Sequence, residues 1–226
     1  MTFRKAMPVC ALSLSACLSV PAFAESGFYI GAQVGQSRFR ENTGDFNDVV
    51  IQAFADNGLV VVDGDSSLDK TDTAFGGLIG YKFLPAFAVE AGYVDLGQLS
   101  YTSSGTVSDG FFLYPATADF SADAKGPTLS ALGILPLSPT WDIYLRGGAF
   151  FAKTTLQADI SVGGFGGDDE MSSDSVDALA GGGIAVHLGE RFGLRAEYTR
   201  YFKVGDEDTT GEADVDQLTV GFTYTL

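Results

Sequence analysis

Four charged residues in apolar surroundings carry most of the chemistry in this chain: Glu90 in FAVEAGYVDLG, Arg146 in WDIYLRGGAFF, and Arg195 with Glu197 in FGLRAEYTRYF. A carboxylate among hydrophobic neighbours can act as a general acid or base, ligate a cation or close an ion pair. Here two carboxylates balance two guanidiniums, and neither a nucleophile nor a set of metal ligands accompanies them. Mutual pairing is therefore the expected arrangement, because unpaired buried charges are costly. No catalytic residue, metal or cofactor is assigned, and no enzymatic activity is expected. The one histidine, His187, lies two residues before Gly189. A barrel enzyme that cuts lipids or peptides needs a histidine with serine or acidic partners near the opposite rim, so His187 reads as a satisfied structural residue.

A second constellation is acidic. Asp206-Glu207-Asp208-Thr209-Thr210-Gly211-Glu212 begins like a calcium loop, with Asp at its first and third positions and Gly at its sixth. Gln217 stands at the twelfth position, where the bidentate Glu belongs, and a strand pattern follows instead of a helix. The motif is thus not an EF-hand. A solvated acidic rim is the plainer reading; loose cation contacts through Asp206, Asp208, Asp168, Asp169 and Glu170 are the alternative, with Asp63, Asp65 and Asp69 in an earlier loop. Gly163 to Gly167 is not followed by Lys and opens no helix, so it is a loop tip and not a phosphate cradle. Gly181-Gly182-Gly183 falls inside a strand pattern, where absent side chains allow close packing or a bulge.

The elements that position these residues follow from export and periodicity. Residues 1–24 combine Arg4 and Lys5, an apolar stretch and Ala22-Phe23-Ala24, and read as a secretory signal peptide, leaving residues 25–226 as one domain. Leu14-Ser15-Ala16-Cys17 also resembles a lipidation site, whose use would retain Cys17; cleavage after Ala24 would remove both cysteines and all thiol chemistry. The formal net charge of −16 makes nucleic acid a poor partner and divalent cations, or the cation-bridged surface of a Gram-negative cell, better ones. Beyond the signal, no apolar run reaches the length of a membrane-spanning helix. With 29 Gly, 18 Phe and 9 Tyr, the remaining route into a membrane is a β-barrel.

Eight alternating runs meet that expectation: 27–38, 71–83, 87–98, 120–135, 141–157, 175–188, 192–204 and 215–226. Tight turns at 84–86, 136–140 and 189–191 alternate with longer polar loops, the first at 39–70. Short turns on one rim and long loops on the other describe a transmembrane barrel with periplasmic turns and extracellular loops. In the last run Leu218, Val220, Phe222, Tyr224 and Leu226 share one face, against Gln217, Thr219, Gly221, Thr223 and Thr225. Apolar outward and polar inward inverts a soluble barrel. The same parity turns Glu90, Arg146, Arg195 and Glu197 into the bore. In the first loop Phe46, Val49, Val50, Ala53 and Phe54 fall at helical spacing, with Asp45 or Asn47 as cap and Asn57-Gly58 as terminator. That helix either packs on its own hairpin or offers an exposed apolar patch.

GFYIGAQVG, AFGGLIGYKFLPAFAVEAGYVDLG, WDIYLRGGAFF and LRAEYTRYF resemble the OmpA-type and OmpX-type eight-stranded outer-membrane barrel family. The resemblance implies an acidic bore residue at Glu90 and arginines at Arg146 and Arg195, while a lysine that such barrels carry has Leu132 in its place. Because the sequence ends on the last run, no peptidoglycan-binding domain is expected after it. The function expected is a structural and surface-interaction role through acidic extracellular loops, by adhesion or ligand contact. The alternative is a narrow pore gated by the ion pairs. The expected partners are outer-membrane lipid and lipopolysaccharide, the barrel insertion machinery during assembly and a host or surface ligand, with the chain a monomer.

Overall fold

The computed structural model describes residues 27–41, 43–206 and 209–226, all joined in one antiparallel sheet with a single helix on its inner side. In chain order the elements are β1 (Gly27–Phe39), α1 (Thr43–Asp56), β2 (Val60–Asp69), β3 (Thr71–Leu84), β4 (Phe87–Ser108), β5 (Leu113–Pro136), β6 (Trp141–Val162), β7 (Phe165–Leu188), β8 (Phe192–Asp206) and β9 (Gly211–Thr225). Residues 1–26, which contain the expected signal peptide and Cys17, lie outside the described residues.

The strand order β2-β4-β3-β1-β9-β8-β7-β6-β5, with a further β4–β5 pairing, closes a ring. Pairing of β1 with β9 joins the two ends of the chain, from Tyr29↔Thr225 to Phe39↔Val215. The ring contains the eight expected strands, and β2 stands outside the count. It pairs with the far half of β4, from Val60↔Ser108 to Asp69↔Ser100, and so continues the ladder that β3 begins. The ninth strand is an upward extension of a barrel wall.

The long loops differ from expectation in the same way. Residues 99–108 and 113–119 are paired strand, and so are 158–162 and 165–174, leaving only 109–112 and 163–164 as tips. Little apolar alternation marks these stretches because their outer face lies beyond the apolar belt and their inner face is covered only in part, where α1 reaches it, so Ser, Thr and Asp stand on both sides. The ladder continues there because each strand satisfies its neighbour's backbone groups. β5 has 24 residues, which at roughly 3.3 Å each makes a strand about 80 Å long. A tilted strand needs only about 10 to cross a bilayer, so more than half of the hairpin projects from one rim. At the other rim the turns are short, and Gly189 takes φ 83°, a left-handed conformation that suits glycine.

Apolar side chains face out along a belt: Phe28, Ile30 and Val34 on β1, Phe75 and Ile79 on β3, Leu129 and Leu135 on β5, Leu145 and Phe151 on β6, and Leu218, Val220 and Phe222 on β9 are all exposed. So much contiguous exposed apolar surface is incompatible with a free-standing soluble domain and suits contact with lipid. The bore is filled in layers. Ala88, Leu132 and Tyr144 pack near the short turns. Farther up, Val94, Leu96, Leu99, Phe150, Leu179, Tyr201 and Val215 make a larger apolar layer. Above it α1 lays Phe46, Val50 and Phe54 against Tyr101, Val107, Ala116 and Ala118 on the inner wall of the projecting hairpin. The helix starts at Thr43, earlier than either expected cap, and Asn47 instead accepts a hydrogen bond from the Tyr101 hydroxyl at 2.6 Å. It ends at Asn57-Gly58, with Gly58 at φ 74° and the Leu59 N–H returning to Phe54 O at 2.9 Å.

Candidate functional site

Between the lower two apolar layers the four charged side chains meet across the bore. Glu90 comes from β4, Arg146 from β6, and Arg195 and Glu197 from β8. Arg195 Nη1 lies 2.7 Å from Glu90 Oε1, Arg146 Nη1 lies 2.7 Å from Glu197 Oε1, and Arg195 Nη2 also donates to Glu197 Oε2. All four are buried, Glu90 at 0% and Arg195, the most open, at 8% exposure. Two charges of each sign cancel, so the set carries no net charge into the bore.

Side chains that the sequence reading had not singled out complete the shell. Tyr29 O–H donates to Glu90 Oε1 at 2.7 Å, Tyr144 O–H to Glu197 Oε2 at 2.8 Å, and Thr199 O–H to Glu197 Oε1 at 2.8 Å. Arg195 Nε donates to Tyr144 Oη at 2.9 Å and Arg146 Nε to Ser130 Oγ at 3.0 Å. The signal for them was strand parity: Tyr29 lies between outward Phe28 and Ile30, and Tyr144 between outward Ile143 and Leu145. Leu132 is buried against Ala88 and Tyr144, so the position where the family resemblance implied a lysine belongs to the apolar layer below.

Glycines on β7 make room for the hydroxyls around Glu197. β6 and β8 are not neighbours, because β7 runs between them. Gly181 lies opposite Arg146 and Gly183 opposite Glu197. With no side chains there, Thr199 Oγ1 packs beside Gly181 and the Tyr144 hydroxyl beside Gly183, the two hydroxyls that bond Glu197. Register is continuous through Gly181, Gly182 and Gly183, so of the two expected uses the triplet serves close packing and not a bulge. Gly80, opposite Glu90, leaves similar room for the Tyr29 ring.

The other charged candidates lie elsewhere. His187 Nε2 is 2.8 Å from Asp142 Oδ2 near the short turns, remote from the four-residue set. Asp168, Asp169 and Glu170 sit on β7 and not in a loop; Asp168 is opposite Asp159, which is itself opposite Asp119. Glu170 Oε2 accepts a hydrogen bond from Gln157 Nε2 at 3.2 Å. Asp206 ends β8, and Asp208 lies outside the described residues. Among the described residues no three His, Cys, Asp or Glu side chains converge as a metal set. At the β4–β5 tip Asp109 accepts hydrogen bonds from the N–H groups of Phe111 and Phe112, both at 2.8 Å. Those bonds, chiefly the one from Phe112, hold its carboxyl below the usual carboxylate range.

The buried set can seal and align: guanidiniums and hydroxyls engage Glu197 through both carboxylate oxygens and Glu90 through Oε1. Outer membrane protein A of Serratia marcescens is 27% identical to this chain over 218 residues, 95% of the chain and 53% of that protein. The chain spans about half the length of the curated relatives it matches. Among solved structures, Neisserial surface protein A shares 15% identity at a TM-score of 0.45, over 89% of this chain and 98% of its own. Ail of Yersinia pestis, solved with the heparin analogue sucrose octasulfate, shares 17% at a TM-score of 0.43, over 90% and 100%. The closed ring, the outward apolar belt and a family match that spans nearly the whole chain make the protein an integral barrel of the bacterial outer membrane. Residues 23–226 match the OmpA-like transmembrane domain, and the chain belongs to that family.

Proposed function

We propose that the protein is a non-enzymatic barrel with a structural and surface-interaction role, its long hairpins extracellular and its short turns periplasmic. The observation that carries this reading is the pair of projecting hairpins. β4–β5 and β6–β7 rise beyond the belt as solvated ladders and end in apolar tips, where Phe111 is 90% exposed and Phe165 86%. A rigid, paired stalk with exposed aromatic side chains at its end suits contact with another surface. The buried ion-pair set and the apolar layer above it support a filled bore that fixes strand register, in preference to the pore alternative. α1 supports the contact role only indirectly, because its main apolar face is spent on the hairpin wall. On this reading residues 1–24 are the export signal, the insertion machinery assembles the monomer, and the acidic ladder makes loose cation contacts.

Cells displaying the protein test it. Replacing Phe111, Phe112 and Phe165 by Ser should lower retention of whole cells on octyl-coated beads severalfold, while protease added to intact cells still cuts at 109–112 and 163–164. Unchanged retention would sink the contact role, and cutting at 137–140 on sealed cells would reverse the orientation.

A further inference from the structure

Above the belt the ring opens along one side of β7. β8 pairs with β7 only from Leu188↔Phe192 to Ala178↔Phe202, so residues 165–177 pair with β6 alone. The lower part of that stretch is covered by the β8–β9 connection: Thr210 Oγ1 is 2.7 Å from Ser173 Oγ, and Gly205 N–H donates to Ser175 Oγ at 3.4 Å. From Phe165 to Ser172 every residue is exposed, and among the described residues no backbone–backbone hydrogen bond is made on the side away from β6. Alternate residues of an antiparallel ladder turn both backbone groups the same way. Phe165 pairs with Val162 across the two-residue turn Gly163-Gly164, so Gly166, Asp168, Glu170 and Ser172 present theirs to the open edge. The Glu170 N–H takes a side chain in place of a strand, Asp169 Oδ1 at 2.9 Å.

An uncovered edge is a template for another strand, and proteins ordinarily blunt it with Pro, Lys or a bulge. Residues 165–177 contain neither Pro nor Lys, and their register against β6 holds without a shift. The opposite edge of the same upper sheet, β2, is interrupted by a shift between Val61 and Asp63, which makes β7 the better template. Charge then selects the occupant. Asp168 and Glu170 stand on the outer face, where Asp159 lies opposite Asp168 and Asp119 opposite Asp159, and Asp169 stands on the inner face. Like charges facing each other across a ladder are destabilising. None of these carboxylates enters an ion pair among the described residues.

From this we infer that the upper edge of β7 accepts an extended basic segment of another protein as an added strand. Its Lys or Arg side chains alternate along the outer face beside Asp168 and Glu170, and the apolar side chains between them lie on the inner face beside Gly167 and Met171. Main-chain hydrogen bonds supply affinity without regard to sequence, and the carboxylates supply the selection. A second copy of this chain does not fit. β7 against β7 would set Asp168, Asp169 and Glu170 among themselves, and β2 would bring Asp63, Asp65 and Asp69. The inference deepens the surface-contact reading and rests on it only in placing the partner outside the cell.

The test uses the folded protein in neutral detergent and a short fluorescent peptide alternating Lys and Val, with binding read by anisotropy. The peptide should bind, and its Glu-Val counterpart should not. Methylating the backbone nitrogens of the Lys-Val peptide keeps its charge, removes its ladder donors and should weaken binding at least tenfold. Ser172→Pro, which takes an N–H from the open edge and changes no charge, should weaken it severalfold, as should Asp168→Asn with Glu170→Gln. Asp63→Asn with Asp65→Asn on β2 should leave it unchanged. In the unaltered protein, bound peptide should slow amide exchange across 165–172 and not across 60–69. Binding that survives methylation would reduce the effect to charge attraction and overturn the added strand, and protection at 60–69 would overturn the choice of β7. Phe111→Ser with Phe112→Ser should leave peptide binding intact. Bead retention therefore judges the tips, peptide binding judges the edge, and either can fail alone.

Discussion

At the scale of single residues, the bore set divides into two direct pairs bridged by Arg195. Glu90 pairs with Arg195 at 2.7 Å, and Arg146 pairs with Glu197 at 2.7 Å. Removing one member of a buried pair typically costs about 3 to 5 kcal/mol, because the remaining charge is stranded. Glu90→Ala should therefore lower the urea midpoint of the folded band clearly. Combining it with Arg195→Ala should cost less than the sum of the single losses, by about 1 to 3 kcal/mol. The matching cycle with Arg146 should show the smaller coupling, since Arg146 is bonded to Glu197 and not to Glu90. Additive losses in the Glu90 and Arg195 cycle would mean that the pair does not interact.

At the scale of elements, β7 works by what it omits. A Cβ on Gly183 would run into the Ala196 carbonyl and stand 2.6 Å from the Tyr144 hydroxyl that bonds Glu197. A Cβ on outward Gly147 meets nothing within 4 Å. Gly183→Ala should thus destabilise the barrel by about 1 to 3 kcal/mol, the usual cost of overpacking, while Gly147→Ala stays within about 0.5. Heat-modifiable migration, read as the temperature at which the compact band is lost, would separate them; equal shifts would remove the steric account of the triplet. The periods of β1, β8 and β9 were legible because each alternates apolar outward and polar inward. The upper halves of β4 to β7 were not, because solvent bathes their outer face and the inner face is covered only where α1 reaches β4 and β5, which imposes no sustained alternation.

For the whole molecule, closure is set by layers at several heights. The ionic set spans the bore below Phe150, Leu179 and Tyr201, and the Phe150 and Tyr201 rings meet edge to face at 5.1 Å between centroids. A rearranged ion pair alone would still leave the apolar layer across any water path. Planar-bilayer recordings should therefore show no conductance or only rare small steps, and Glu197→Ala should not produce steady openings. Large, stable openings in the unaltered protein would defeat the filled-bore reading and favour a channel.

Alternating periodicity and alternating loop lengths were enough to determine an eight-stranded ring, the direction each residue faces and the company of Glu90, Arg146, Arg195 and Glu197 in one bore, because parity is a local property of a strand. Partners were not determined that way. Which arginine meets which carboxylate depends on height around a tilted ring, and on whether the strand between them carries side chains. Arg146 meets Glu197 across β7, where Gly181 and Gly183 leave room for the Thr199 and Tyr144 hydroxyls that bond the same carboxylate. The extension of β3 by β2, the docking of α1 on the hairpin wall and the pairing of both Arg40 and Arg200 with Asp216 likewise came only from tertiary structure. Each depends on a neighbour distant in sequence, and a polar ladder in water carries no hydrophobic period to announce it.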